Sequence, residues 1–225
     1  TTYAGTTTSG VLKSVDGGTS WATANVGLPT TSVSALVIDP GTPSALYAGT
    51  KAGVFKSTDG GQSWAATEGN VVDSEYGGTV YALAIDSGSP ATLYAATSSG
   101  LFKTIDGGAH WTFIDGFPYS YHSYFSMTPH AVATDPKSPT TIYVGVDGNG
   151  TDFDSGAFKS TDGGNNWTRI YTNHAAGNGP DSVVALAIDP RSPSRIYLAF
   201  SHGGLLVTTD GGKNWANKNT PQADI

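Results

Sequence analysis

The stretch Phe55-Lys56-Ser57-Thr58-Asp59-Gly60-Gly61-Gln62-Ser63-Trp64 holds the motif around which the whole chain is organised. Its last eight residues follow the pattern Ser/Thr-x-Asp-Gly-Gly-x-x-Trp, which returns at 14–21, 104–111, 160–167 and 208–215. Each of the five tryptophans, Trp21, Trp64, Trp111, Trp167 and Trp215, closes one copy. The motif aspartates Asp16, Asp59, Asp106, Asp162 and Asp210 lie 43, 47, 56 and 48 residues apart. A period of that size fits one four-stranded propeller blade per repeat, a unit that cannot bury its apolar face without neighbours.

Working outward from the motif, Val33 to Ile38 alternates small and bulky residues, Asp39-Pro40-Gly41-Thr42-Pro43 interrupts the run, and Ala45 to Thr50 resumes it. This pattern reads as strand, turn, strand. After Lys51-Ala52-Gly53, a third strand from Val54 enters the Asp-Gly-Gly turn and Trp64 opens a fourth. No segment carries a sustained 3.6-residue apolar period, so helix is expected to be scarce. The motif needs no ligand to explain it. Asp accepts hydrogen bonds from the amides of its own turn, Gly supplies the positive φ angles, the Ser or Thr hydroxyl adds a local bond, and the indole lies over the hairpin. Asp39, Asp86, Asp135 and Asp189 recur at the end of each first strand and are expected to cap the turn that follows.

These lines resemble the Asp-box, or BNR, repeat. The phrase Leu186-Ala187-Ile188-Asp189-Pro190 to Ile196-Tyr197 is most similar to the repeats of xyloglucanase-type glycoside hydrolases and of bacterial Asp-box propellers without an assigned role. The resemblance covers almost the whole chain and implies an all-β, five-bladed β-propeller of four-stranded antiparallel blades, with an Asp-box in each third-to-fourth-strand hairpin. It says less about activity, because Asp-box propellers include sialidases, endoglucanases, sortilin-type sorting receptors and photosystem assembly factors. A sialidase of this family grips a carboxylate with three arginines. This chain has only Arg169, Arg191 and Arg195, and the last two fall on a first-to-second-strand turn away from the variable loops. Xyloglucanases resemble two large propellers clasping a glycan, and no position here matches the motifs that carry their catalytic aspartates.

The expected organisation is a single propeller domain over 1–225, with blades at about 1–30, 31–74, 75–122, 123–180 and 181–225. Thr2 to Thr6 matches a second strand, so the first blade lacks an obvious inner strand. A closed disc is expected, since an open arc exposes strand edges.

A net charge of −7 and only 11 Lys and Arg, unclustered, argue against nucleic acid and against a polybasic membrane surface. No apolar run is long enough for a membrane helix, so no insertion is expected. Without cysteine there is neither a disulfide nor a thiol nucleophile nor Cys-ligated zinc. The five histidines show no metal-ligand spacing and no cofactor motif appears, so no cofactor is expected. The Thr, Ser, Gly and Asn richness, together with the resemblance, points to an exported bacterial protein, extracellular or periplasmic.

Strand parity puts the Asp-Gly-Gly hairpins on one face and most length variation on the other, at Glu68 to Thr79, Asp115 to His130, Asp147 to Gly156 and Tyr171 to Ser182. Insertions gathered on one face mark a binding face. There Tyr119, Tyr121 and Tyr124 alternate with hydroxyls in a loop able to stack on sugar rings or a partner, and Tyr76, Tyr171 and His174 can extend the groove. The competing reading is that Phe117, Tyr121 and Phe125 only plug the loop onto the disc. A glycosidase needs two facing carboxylates roughly 5 to 9 Å apart. The candidates are Asp73, Glu75, Asp147, Asp152 and Asp154, and spacing singles out no pair. Asp147, Asn149, Asp152 and Asp154 also offer oxygens at alternating positions, as calcium prefers, but without the EF-hand Gly and Glu. The residues thus favour a non-catalytic propeller that binds a glycan or protein on its loop-rich face. The alternative is a glycoside hydrolase using a carboxylate pair on that face. Oligomeric state is left open.

Overall fold

The computed structural model describes residues 1–69, 71, 78–117, 127–147, 155–173 and 182–218. Each repeat forms one antiparallel sheet in which consecutive strands pair. Sheet 1 has three strands, β1 (Thr2–Gly5), β2 (Val11–Ser14) and β3 (Ala22–Thr23). The other sheets have four: β4 (Val33–Ile38) to β7 (Ala65–Ala66), β8 (Val80–Ile85) to β11 (Thr112–Phe113), β12 (Thr128–Asp135) to β15 (Thr168–Asn173), and β16 (Val183–Ile188) to β19 (Ala216–Asn217). No described residue is helical. The chain packs as two compact units, Thr1–Asp115 with sheets 1 to 3 and Gly116–Ile225 with sheets 4 and 5.

Within a unit the sheets stack face to face, which explains why their middle strands are apolar on both sides. Every residue of β5 (Leu46–Thr50) is buried. Leu46 and Ala48 join Val11, Val33, Phe55 and Trp64 in the core toward sheet 1, while Tyr47 joins Val54, Val80, Leu83 and Leu93 toward sheet 3. The period of two thus feeds two cores from one strand. Close approach also dictates size. A Cβ on Gly145 would lie 2.4 Å from Val183 Cγ1 of the next sheet, and one on Gly49 would lie 2.7 Å from Val80 Cγ1.

The Asp-Gly-Gly turns carry the bonds expected of them. In the second copy the Ser57 hydroxyl donates to Asp59 Oδ1 at 2.8 Å and accepts from the Gly61 amide at 2.9 Å. The Ser63 amide donates to Asp59 Oδ1 and its hydroxyl to Oδ2. Both glycines take positive φ, 72° and 82°. The other copies repeat this net with Ser20, His110, Asn166 or Asn214 in the place of Ser63. Asp39, Asp86, Asp135 and Asp189 accept from amides two or three residues on, as turn caps.

The indoles depart from the expected self-contained lid. Trp21 and Trp167 do donate to their own hairpins, at Gly18 and Gly164 O. Trp64, Trp111 and Trp215 instead donate to Ala24 O, Thr67 Oγ1 and Ile170 O of the preceding sheet. The first motif glycine is gripped from the same direction. Tyr3 Oη and Lys13 Nζ both donate to Gly60 O, at 2.9 and 2.7 Å, and Tyr47 Oη and Lys56 Nζ both donate to Gly107 O, at 3.2 and 3.0 Å. Each ammonium also lies over the ring of its tyrosine, at 5.5 and 5.2 Å.

Trp64 is 5% exposed and Trp21 is 42% exposed. Trp64→Ala should therefore cost about 3–5 kcal/mol in urea unfolding and Trp21→Ala less than about half of that; equal costs would contradict the bridging role of the indole.

Hydrogen bonds from the residue four places on and from the Ser or Thr hydroxyl hold the motif carboxyls below their ordinary range, Asp59 and Asp162 to about 2 and the other three further down. A depressed folded value gives stability that is present above the unfolded value near 3.8 and lost as pH falls through the folded one. The motif carboxylates' share of the urea midpoint should hold above about pH 5 and fall steadily from there to about pH 2, read as the loss that Asp59→Asn and Asp162→Asn remove; a midpoint whose fall below about pH 5 is the same with and without these changes would contradict this.

Candidate functional site

In sheet 4 the loop-bearing end lies opposite the hairpin end. β13 (Ser138–Asp147) finishes at Asp147, paired with Thr128 at the start of β12, while its other end pairs Ile142 with Ser160, which enters the hairpin. The fit of Val183 against Gly145 brings the neighbouring first strand, β16, close to β13 at this end. Ser182, just before β16, is fixed by exchange with Ser201: its amide donates to Ser201 Oγ and its carbonyl accepts from the Ser201 amide. From there its hydroxyl donates to Asp147 Oδ1. The half-buried carboxylate Asp147 thus spans two sheets at the point where the variable stretches begin.

His130 is the third member. The β12–β13 register slips between Pro129 and Ala131, so His130 occupies a bulge. Bulges re-aim a side chain and recur beside functional sites. Burial pushes the His130 imidazole below its ordinary value, and the Asp147 charge opposes that shift in part. A neutral, half-buried imidazole beside a fixed carboxylate is a group able to accept or pass a proton. The residues offered no spacing that pointed to His130 or Ser182. The usable signal was positional: the repeated first strand carries the same slip at Ser34, Tyr81 and Val184, and only the fourth copy places a titratable imidazole there.

Of the residues expected at the site, Asp147 and Tyr171 fall among those described. Tyr76, Tyr119, Tyr121, Tyr124, His174, Asp73, Glu75, Asn149, Asp152 and Asp154 lie outside them. Two neighbours resolve toward packing. Phe117 is buried, edge-on to Trp167 at 5.0 Å and to Phe158 at 5.7 Å, which is the plugging role. Tyr171 packs edge-on against Phe200 and Trp215 in the core between sheets 4 and 5 instead of widening a groove. Arg169 stacks over Phe158 at 5.0 Å and donates to Met127 Sδ. Among the described residues no group of three or more His, Asp or Glu side chains is placed to hold a metal. A separate groove of about 460 Å³ lies at the hairpin end of sheets 1 and 2, lined by Trp21, Lys13, Val26 and Gln62 and without a carboxylate.

No family model matches the chain. A probable oligoxyloglucan-reducing end-specific xyloglucanase from Neosartorya fischeri is 37% identical over 87 residues, 37% of this chain and 10% of that protein. The GH74 xyloglucanase from Xanthomonas campestris superposes with a TM-score of 0.69 at 22% identity, over 92% of this chain and 34% of that one. YCF48 bound to a D1 peptide superposes with a TM-score of 0.57 at 21% identity, over 92% of this chain and 60% of that one. The chain therefore spans a tenth of the length of the curated relative and about a third of the xyloglucanase structure. The likeness establishes a β-propeller fold related to that of xyloglucanases.

A lowered imidazole value means that the unfolded chain takes up a proton on His130 before the folded one does, so stability drops as pH falls below about 6.5. By NMR the His130 titration should have its midpoint below that value, and Asp147→Asn, which removes the charge that raises it, should move it lower still. An upward move would contradict the assignment.

Proposed function

We propose that this chain is a glycan-contacting portion of an Asp-box propeller of the xyloglucanase type, exported from the cell, and that it meets its glycan at the end of the sheets that carries Asp147. The observation that carries the reading is the Asp147 carboxylate, held across two sheets by Ser182 beside His130, in a chain with xyloglucanase-like relatives. In this reading Tyr119, Tyr121 and Tyr124, with Tyr76 and His174, supply stacking and edge contacts to sugar rings, where each aromatic gives large contact area for little entropy lost.

Hydrolysis adds one requirement, a second carboxylate facing the first. In this reading Asp147 is one member of the pair, and Asp152 or Asp154, shortly after it in the sequence, is the other. The acid member protonates the leaving glycosidic oxygen and the basic member attacks the sugar carbon or activates water. In this reading His130 lies beside Asp147 and touches no substrate.

A non-catalytic binder is the second reading. It is favoured by a fold shared with a protein bound to a peptide. A net charge of −7 disfavours nucleic acid as the ligand.

Xyloglucan oligosaccharides separate the two readings. An enzyme should release new reducing ends, with Asp147→Asn lowering the rate at least about 100-fold while calorimetric binding persists. A binder should show binding that the triple change Tyr119→Ala, Tyr121→Ala, Tyr124→Ala abolishes, with no reducing ends formed. Neither binding nor release by the wild-type chain would reject the glycan reading.

A further inference from the structure

Unit 1 contains two joins between neighbouring sheets, and they use the same chemistry. At each, a second-strand tyrosine hydroxyl and a third-strand lysine ammonium converge on the carbonyl of the first motif glycine of the next sheet, Gly60 or Gly107. In each, the next sheet's indole N–H also reaches back to the preceding sheet. Unit 2 has a partial counterpart: Lys159 Nζ lies over the Tyr143 ring and 3.6 Å from the Cβ position of Gly211, and Trp215 donates to Ile170 O.

Within its unit, and among the described residues, sheet 1 carries the acceptor half of this join with no donor half against it. Within its unit a Cβ on Gly17 meets nothing within 4 Å, and one on Gly18 meets only its own Trp21. Among the described residues nothing donates to the Gly17 carbonyl. Trp21 turns its N–H onto its own Gly18 O at 3.0 Å and stands 42% exposed, where Trp64 bonds the preceding sheet and is 5% exposed. An open carbonyl next to a bare indole face is a pre-shaped receptor for a cation and a phenol, the pair that fills it at the next two sheets.

Among the described residues the tyrosine–lysine pairs that match this geometry are already placed elsewhere. Tyr3 with Lys13 and Tyr47 with Lys56 are spent on Gly60 and Gly107, and Lys159 faces Gly211. Lys103 is already engaged. In sheet 5, Tyr197 stands opposite Val207, where the other sheets place lysine, so that face offers a hydroxyl without an ammonium.

From this continuity with the joins already formed, we infer that the open face of sheet 1 is a docking surface for one further blade of the same repeat, supplied from outside these 225 residues and bringing a tyrosine and a lysine to the Gly17 carbonyl. The occupant is a polypeptide blade, and the interface is the one that joins sheet 1 to sheet 2.

Two measurements test this. In the chain as it stands, amide exchange read by NMR should be at least tenfold faster in the 14–21 hairpin than in the 57–64 and 104–111 hairpins. A copy of residues 128–173, which carries Tyr143 and Lys159, should then be joined ahead of Thr1 of the full chain. It should slow exchange at 14–21 at least tenfold and raise Tm by roughly 4 °C or more. Tyr143→Phe with Lys159→Met, made in the copy only, should remove most of that gain. Three results would overturn the inference: a 14–21 hairpin already protected in a monomer, meaning the chain covers the face itself; protection that grows with protein concentration, meaning a second copy does; or an added blade that leaves 14–21 exchange unchanged.

Discussion

At Gly60 and Gly107 the carbonyl of the first glycine in the Asp-Gly-Gly turn joins one sheet to the next. It can do so because the turn leaves it fixed and unshared. The Ser or Thr hydroxyl and the aspartate absorb the local amides, and the two left-handed glycines turn the carbonyl outward. A phenol and an ammonium from the preceding sheet then close on it. Charge-assisted bonds of this kind are strong where they are partly shielded from water. They also set the angle at which sheets meet, so the apolar faces of Leu46, Phe55 and Trp64 come to packing distance in register.

The candidate site is a by-product of the same stacking at the far end of the sheets. With hairpins clamped at one end, small residues such as Gly145 let the next first strand lie close at the other, and Asp147 meets Ser182 there. A carboxylate anchored by two sheets keeps its position while the loops beyond it vary. This separation of a rigid frame from variable loops is what lets one fold serve hydrolysis in some proteins and binding in others.

The sheets were legible because their signals are local and repeated. The period, the Asp-Gly-Gly turn, the alternation in β4 and the missing strand of the first repeat all follow from short-range chemistry. The indoles were only half legible, since a hydrogen bond from Trp64 to Ala24 depends on which sheet stands behind it, and no local pattern states that. Asp147 was named among five carboxylates without being distinguished, whereas Ser182 and His130 were passed over. Their roles arise from a contact across 35 residues and from a register slip, both products of stacking. Tyr171 misled because an aromatic near a loop and an aromatic in an interface look alike until the opposing Phe200 and Trp215 are in place.

A double-mutant cycle between Ser57→Ala, inside the second hairpin, and Lys13→Met, on the neighbouring sheet, addresses the central claim most directly, because the two side chains meet only through the Gly60 backbone. If the turn exists to hold that carbonyl for the ammonium, the two changes should couple by about 0.5–1 kcal/mol or more in unfolding free energy. Additivity within about 0.3 kcal/mol would show that hairpin and clamp act independently and would contradict the account.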